Sequence, residues 1–503
     1  MLTNCANLHK IIETRCDRAK SVTLIFLTLK KGVIMEDVVK IPEEYFRALC
    51  ADYKANNKID PQLFDNYNIK RGLRNADGTG VLAGVTQICN VHGYLLNEGE
   101  RMPIEGELTY RGYSVNDLVD GCKKEKRFGF EETAYLLMMG KLPTKSELAE
   151  FNSVLGSMRQ LPDYFAEDMI LRVPSSNVMN NLARAVLALY SYDESAEVHT
   201  MENNLRQSLE LLARFPIIVA YAYQAKKHFY DKESLFIHFP KEELSTAENI
   251  LHIIRPDSNY TEEEARLLDL MLMLHAEHGG GNNSTFTTRV LTSSGTDIYS
   301  AIAGAVSSLK GPKHGGANIK VIEMMNYIKE NVHDWTSDEQ IKDYLRKIIN
   351  KQAGDRSGLI YGIGHAIYTL SDPRAKLLRE NAEEFAKQKG RYDELQLMDR
   401  VAKLASQVFY EVKGEKKVVC PNVDFYAGFI YSMLEIPEEL YTALFAIARI
   451  SGWCAHRVEE ITTSGRIIRP AYKSAVYPLD YIEIKDRKDT KHKHLPRGLS
   501  NLF

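Results

Sequence analysis

The segment from Pro437 to about His456 constrains the fold most, because Leu440, Tyr441, Ala443, Leu444, Phe445, Ala446, Ile447, Ala448, Ile450 and Trp453 leave a helix there with hardly any polar face. A helix that is apolar all round belongs in the interior, with other elements on every side. The chain must therefore be large enough to surround it, and 503 residues can bury such a core. Arg449 stands in the middle of this segment. A buried guanidinium needs an anion close by, either a carboxylate of the protein or a ligand, and the sequence leaves both readings open.

Helical signals dominate elsewhere. Thr144 with Glu147, Thr261 with Glu264 and Thr336 with Glu339 are spaced as capping boxes, each ahead of an apolar run of helical period. Ile319, Ile322, Met325 and Ile328 recur every three positions and predict a helix just after Gly311-Pro-Lys-His314-Gly-Gly-Ala-Asn318. His314 would then lie at that helix's electropositive end, where an imidazole stays neutral and can donate a hydrogen bond to a developing oxyanion. A loop histidine with no role is the plain alternative. Strand signals are few: 75–80 is turn-rich, Glu107 to Val115 can pair locally, and Lys417 to Val419 is short. The expected class is all-α with few short strands, in two or three domains and without a fixed-period repeat.

Composition narrows the partners. With 64 basic against 67 acidic residues and a net charge of -3, nothing favours nucleic acid or an anionic membrane, and a small-molecule substrate fits better. The seven cysteines are scattered, odd in number and free of Cys-x-x-Cys spacing, which argues against a disulfide framework or zinc knuckle and for the reducing cytoplasm. No apolar run approaches the roughly 18 residues that cross a bilayer. Val22 to Leu29, preceded by Lys10, Arg15, Arg18 and Lys20, has something of a targeting segment, but Glu13 and Asp17 are out of character and no small-residue cleavage site follows. Residues 1–34 are expected to be a dispensable leader ahead of a start at Met35.

Five more segments set ionisable groups among glycines or apolar residues: His275-Ala-Glu-His278, Gly362-Ile-Gly364-His365, Asp372-Pro-Arg374, Asn422-Val-Asp424-Phe and Arg466-Ile-Ile-Arg469. A carboxylate in apolar company, such as Asp424, is either tightly paired or poised as a general base. His275 and His278, three apart on a helix, could face one way with Glu277 nearby and so invite a metal reading. Their spacing is not His-Glu-x-x-His and no third ligand is signalled, so no metal is expected. Gly362 and Gly364 would let a backbone approach a ligand closely, but the Lys-Ser/Thr of a phosphate loop is missing.

Taken in order, these segments resemble the citrate synthase family, from about Ile69 to Ala471, with further matching stretches at Lys70 to Arg74, Pro103 to Tyr113, Phe128 to Glu132 and Gly452-Trp453. The resemblance implies an all-α fold with a large domain, 35–315 with 439–503, and a small domain, 316–438, that closes over oxaloacetate. It implies that Asp424 removes a proton from the methyl of acetyl-CoA while His314 hydrogen-bonds the thioester oxygen. His365 would polarise the ketone of oxaloacetate, and hydrolysis of the citryl thioester would release citrate and CoA, a reaction of the tricarboxylic acid cycle. His278, Arg374, Arg449 and Arg469 would hold the oxaloacetate carboxylates, with Arg469 reaching into the neighbouring subunit of a homodimer. Gly362 and Gly364 would approach CoA, and no cofactor is required. Thr369 stands where many relatives carry a basic residue for CoA phosphate. Three rivals remain. A 2-methylcitrate synthase would use the same triad on propionyl-CoA, a difference of one methylene worth roughly 1 to 3 kcal/mol. A catalytically inactive regulatory relative is disfavoured by the presence of His314, His365 and Asp424, and a metal hydrolase would be built on His275 and His278.

Overall fold

The structure, a computed structural model, describes residues 43–487 apart from 76, 99, 415–418, 464 and 477. The leader before Met35, Lys417 and Val418 of the short strand and most of the basic tail from Lys485 to Arg497 lie outside the described residues. The chain divides into two units, one of 43–71 with 471–487 and one of 72–470. The smaller unit contains α1 (Glu43–Asn56) and α2 (Gln62–Asn66). Within it the Arg71 guanidinium lies 3.8 Å over the Phe64 ring and the Lys473 ammonium 5.3 Å from the Tyr67 ring.

The larger unit opens with an antiparallel sheet of β1 (Cys89–Asn97), β2 (Glu100–Tyr110) and β3 (Tyr113–Ser114), in that order. The local pairing expected of Glu107 to Val115 is present, with Thr109 opposite Ser114; β1, opposite β2, carried no recognised signal. Helices follow: α3 (Val115–Glu125), α4 (Phe130–Met139), α5 (Lys145–Ser157), α6 (Val178–Leu189), α7 (Met201–Lys226), α8 (Thr246–Ile254) and α9 (Glu262–His275). After these come α10 (Asn283–Ser293), α11 (Ile298–Leu309), α12 (Ala317–Asn331) and α13 (Asp338–Ile349). The last are α14 (Pro373–Gln388), α15 (Tyr392–Lys413), α16 (Val423–Met433) and α17 (Tyr441–Thr463). The fold is all-α with a small sheet, as expected. No helix among the described residues is long and apolar enough to cross a membrane.

The apolar segment is α17. It is buried without a break from Tyr441 to Arg457 and packs against α4, α7, α9, α10 and α11. The capping boxes at Thr144 and Thr261 both form, and a third, Ser245 with Glu248, opens α8. The one expected at Thr336 does not. The Thr336 hydroxyl donates to the Asp334 carboxylate at 2.6 Å, and the cap of α13 falls one residue later, on Ser337, which accepts from the Gln340 N–H. In α12 the buried side is Asn318, Val321, Met324, Met325 and Ile328, turned from the stripe predicted through Ile319 and Ile322. Ile322 is half-buried instead, lying where α16 offers only the bare backbone of Gly428.

Candidate active site

Four helix ends, one helix middle and one loop bring the candidate residues together. α9 ends at His275, whose Nδ1 lies 2.8 Å from the Met271 carbonyl oxygen and whose ring meets Phe445 edge-on at 4.7 Å. The chain then leaves the helix, so His278 does not share a helical face with His275 as the sequence suggested. The His278 ring packs 5.0 Å from His365 and 5.6 Å from Tyr368, and its Nε2 is buried without a hydrogen-bond partner. Among the described residues no three His, Cys, Asp or Glu side chains are grouped as a metal ion would need.

His314 sits in the turn before α12. That turn is strapped to α17, because the Thr442 hydroxyl donates to the Gly315 carbonyl at 3.0 Å and a Cβ on Gly315 would collide with Leu309 and Thr442. The His314 Nε2 lies 3.1 Å from the Ser284 hydroxyl, which also accepts from the Trp453 indole N–H at 3.1 Å. Burial first, and then the charge of Arg449, pull the His314 pKa down to about 4. The imidazole is therefore neutral, but burial and a neighbouring cation account for it, whereas the sequence pointed to the helix end.

A short antiparallel bridge joins the loops carrying His365 and Asp424. Ile363 pairs with Pro421, the Gly364 N–H donates to the Cys420 carbonyl at 2.8 Å and the Asn422 N–H to that of Gly362 at 2.9 Å. Asn422 then caps α16, accepting from the Asp424 N–H at 3.0 Å. Both glycines have positive φ, 74° and 98°. A Cβ on Gly362 would press into Val321 and Phe425, so close packing already explains that glycine, whereas Gly364 faces open space apart from Val419. His365 Nδ1 accepts from the backbone N–H groups of Ile367 and Tyr368 at 3.1 and 3.2 Å. Nδ1 thus holds the lone pair and Nε2 the proton. Burial, with Arg374 behind it, pulls the His365 pKa down to about 4. Asp424 moves the other way: desolvation pushes it up to about 6 against the pull of Arg374 and Arg449.

Arg374, in the first turn of α14, is held by its own helix cap. Asp372 accepts from its Nε at 3.0 Å and its Nη2 at 2.7 Å, a two-pronged ion pair. Arg449 donates Nε to the His275 carbonyl at 2.8 Å and lies 4.8 Å over Phe445, but its Nη1 and Nη2 are buried with no partner among the described residues. Of the two readings left open, an internal salt bridge is not formed. The charges of Arg374 and Arg449 act on His278 and Asp424 together, that of Arg449 also on His314 and that of Arg374 also on His365, so these six residues form one cluster. Arg469 lies outside it, exposed beyond the end of α17, where the Ile468 N–H donates to Ser293 at 3.0 Å.

The sequence did not reveal the support behind this cluster. Glu277 is fully buried; its Oε1 accepts from His456 Nε2 at 2.9 Å and from the Gly279 N–H at 2.6 Å, fixing the turn that carries His278. Arg289 donates to His456 Nδ1 at 2.7 Å through Nη2 and pairs with Glu459 and Glu460. Gly452 makes room, since a Cβ there would collide with Glu277.

Residues 75–471 match the family model of the citrate synthase C-terminal domain. The citrate synthase of Deinococcus radiodurans is 36% identical over 423 residues, covering 84% of this chain and all of that protein. The 2-methylcitrate synthase of Shewanella oneidensis is 32% identical over 384 residues, 76% of this chain and 90% of that protein. The citrate synthase of Thermoplasma acidophilum, solved with carboxymethyl coenzyme A and oxaloacetate, superposes with a TM-score of 0.66 at 26% identity, over 83% of this chain and 99% of that one. By motif order, fold and relatedness along most of its length, the chain belongs to the citrate synthase family and is an enzyme of its acyltransferase type.

Proposed function

We propose that the enzyme is a citrate synthase, condensing acetyl-CoA, oxaloacetate and water to citrate and CoA, with 2-methylcitrate synthesis from propionyl-CoA as the second reading. The observation that carries it is the pairing of two neutral histidines with a desolvated carboxylate around an arginine whose two Nη groups lack any partner. A planar guanidinium fork matches a carboxylate, and oxaloacetate supplies two, so Arg449 takes one, with Arg374 and His278 beside it. The His365 Nε2–H donates to the ketone oxygen and later gives its proton to the alkoxide. Asp424 takes a methyl proton from acetyl-CoA, and a neutral His314 donates to the oxygen that becomes the enol. That role uses Nδ1–H, because Nε2 faces Ser284; it therefore requires the single Ser284 hydroxyl proton to turn to His314 and away from Asn282 Oδ1, its other acceptor at 3.0 Å, with Trp453 donating to the hydroxyl oxygen. Water then cleaves the citryl thioester, and no cofactor enters the cycle.

In this reading a small domain, 316–438, carries His365, Arg374 and Asp424 onto a large domain holding His314 and Arg449, so closure assembles the catalytic set. Arg469 completes the site of a neighbouring subunit in a homodimer. Gly364 is the better candidate of the two glycines for approach to CoA. The free, buried Cys89, Cys122, Cys420 and Cys454 suit the cytoplasm. The deciding measurement is CoA release with oxaloacetate, comparing kcat/KM for acetyl-CoA and propionyl-CoA. A preference for acetyl-CoA supports the first reading, a preference for propionyl-CoA the second, and no release with either overturns both.

A further inference from the structure

A cavity of about 300 Å³ lies away from this cluster, between α3, α9 and α14. Its floor is apolar, made of Val119, Leu267, Leu270, Met273 and Phe385. That volume is at the lower end of sites that enclose a small organic ligand, about 300 to 1,000 Å³, and an apolar lining with a few convergent polar groups is their usual make-up.

The charges at its rim are unevenly spent. Lys123 is committed to Asn381 at 3.1 Å, and Arg266 to Glu262 and to the Lys126 carbonyl. Asp269 is occupied by the N–H groups of Gly129 and Phe130 at 2.7 and 3.2 Å. Arg127 uses Nε on Glu125 and Nη2 on Glu132, and its Nη1 is buried with no partner among the described residues. The Lys126 side chain is exposed and makes no ion pair or hydrogen bond among the described residues. The acids Glu263 and Glu384 come from α9 and α14, so the unspent positive groups gather on the α3 side. Lys126 is thus the uncommitted cation at the rim, with the Arg127 guanidinium beside it, and an organic anion is the ligand charge that this end of the cavity favours.

The helices that wall the cavity also lead to the active site. α9 runs from it to His275 and the turn of His278, and α14 starts at Pro373-Arg374 and runs back to it. Lys389, at the end of α14, reaches Glu264 of α9 at 3.1 Å, so the two helices are tied beside the cavity. A molecule seated between them sets their spacing at one end, and His278 and Arg374 stand at the other.

We propose that this cavity binds a small organic anion with an apolar body, its anionic group at Lys126 and Arg127, and that its occupancy changes the affinity for oxaloacetate. The second clause rests on the functional reading above; the first does not. The test uses 8-anilinonaphthalene-1-sulfonate as probe, titrated by fluorescence into the full-length protein with its active site filled by oxaloacetate and CoA. The expected result is saturable binding at one site per chain, weakened about tenfold or more by Lys126→Glu, and also weakened by Gln388→Phe, which fills the mouth. Both variants should keep the melting temperature of the parent. Probe binding that is absent with the active site filled, or unaffected by either variant, overturns the site. Calorimetry then reads oxaloacetate affinity with and without probe: a shift of twofold or more in the parent but not in Lys126→Glu supports the coupling, and an unchanged affinity overturns it. Neither measurement needs turnover, so a chain that releases no CoA would overturn the proposed reaction and leave this test decisive.

Discussion

Arg374 and Arg449 are both almost fully buried, at 2% and 0% exposure, and they meet the cost of burial in opposite ways. Burial opposes the charge of Arg374, but the two-pronged contact with Asp372 outweighs it and raises its pKa. Arg449 touches a backbone carbonyl and an aromatic face, and desolvation outweighs these and the charge of Glu277 and lowers its pKa. One arginine is complete within the folded chain; the other is complete only with something added. Where a protein leaves a buried cation half-satisfied, the deficit is paid in stability and recovered in ligand affinity.

The largest effect tests the carboxylate that feels both arginines. Asp424→Asn should cut kcat by about 10² to 10⁴-fold while oxaloacetate affinity, read by calorimetry, is kept; near-normal turnover in the folded variant would refute the assignment of the base. The same variant should melt higher. Burial raises the Asp424 pKa from 3.8 to about 6, so its ionised form costs stability, fully so above about pH 6 and less as pH falls through that value. Next, Arg374→Met strands the buried Asp372 and should cost about 3 to 5 kcal/mol in urea unfolding. Arg449→Met strands no paired charge, only the His275 carbonyl, and should cost less, about 1 to 3 kcal/mol, yet weaken oxaloacetate binding about tenfold or more. Equal losses of stability from the two methionine variants would end the contrast between them. The smallest effect is in the pH profile. With Asp424 titrating at about 6 and both His314 and His365 at about 4, kcat/KM should be flat above pH 6.5 and fall about tenfold per unit below 6. A first inflection near 4 would move control of the rate to a histidine.

Much of the framework was legible because its causes are local. The capping boxes at Thr144 and Thr261 need only neighbours on the same helix, and the apolar surround of α17 is written in consecutive residues. Local reading failed where a second partner competed, as when Asp334 took the Thr336 hydroxyl and moved the cap to Ser337. It held only in part in α12, where Met325 and Ile328 are buried but Ile322 meets the bare backbone of Gly428 on another helix and is half-buried. Within the site, the residue types at His314, His365 and Asp424 announced chemistry, but the neutrality of His314 comes from burial first and then from the charge of Arg449, far along the chain. The contact of Glu277 with His456 spans 179 positions and that of Arg289 with His456 spans 167, and no spacing rule reaches so far. Strand β1, with Gly93 at its middle and no clean alternation of burial, offered too little pattern to read.

The bridge between Ile363 and Pro421 has a mechanical consequence. His365 and Asp424 are 59 positions apart in sequence, but hydrogen bonds from Gly364 to Cys420 and from Asn422 to Gly362 lock their loops back to back. The backbone beneath neither side chain can shift as a body without the other. Two groups that would otherwise each need independent alignment travel as one part, and a displacement that spoils one spoils both at the same moment.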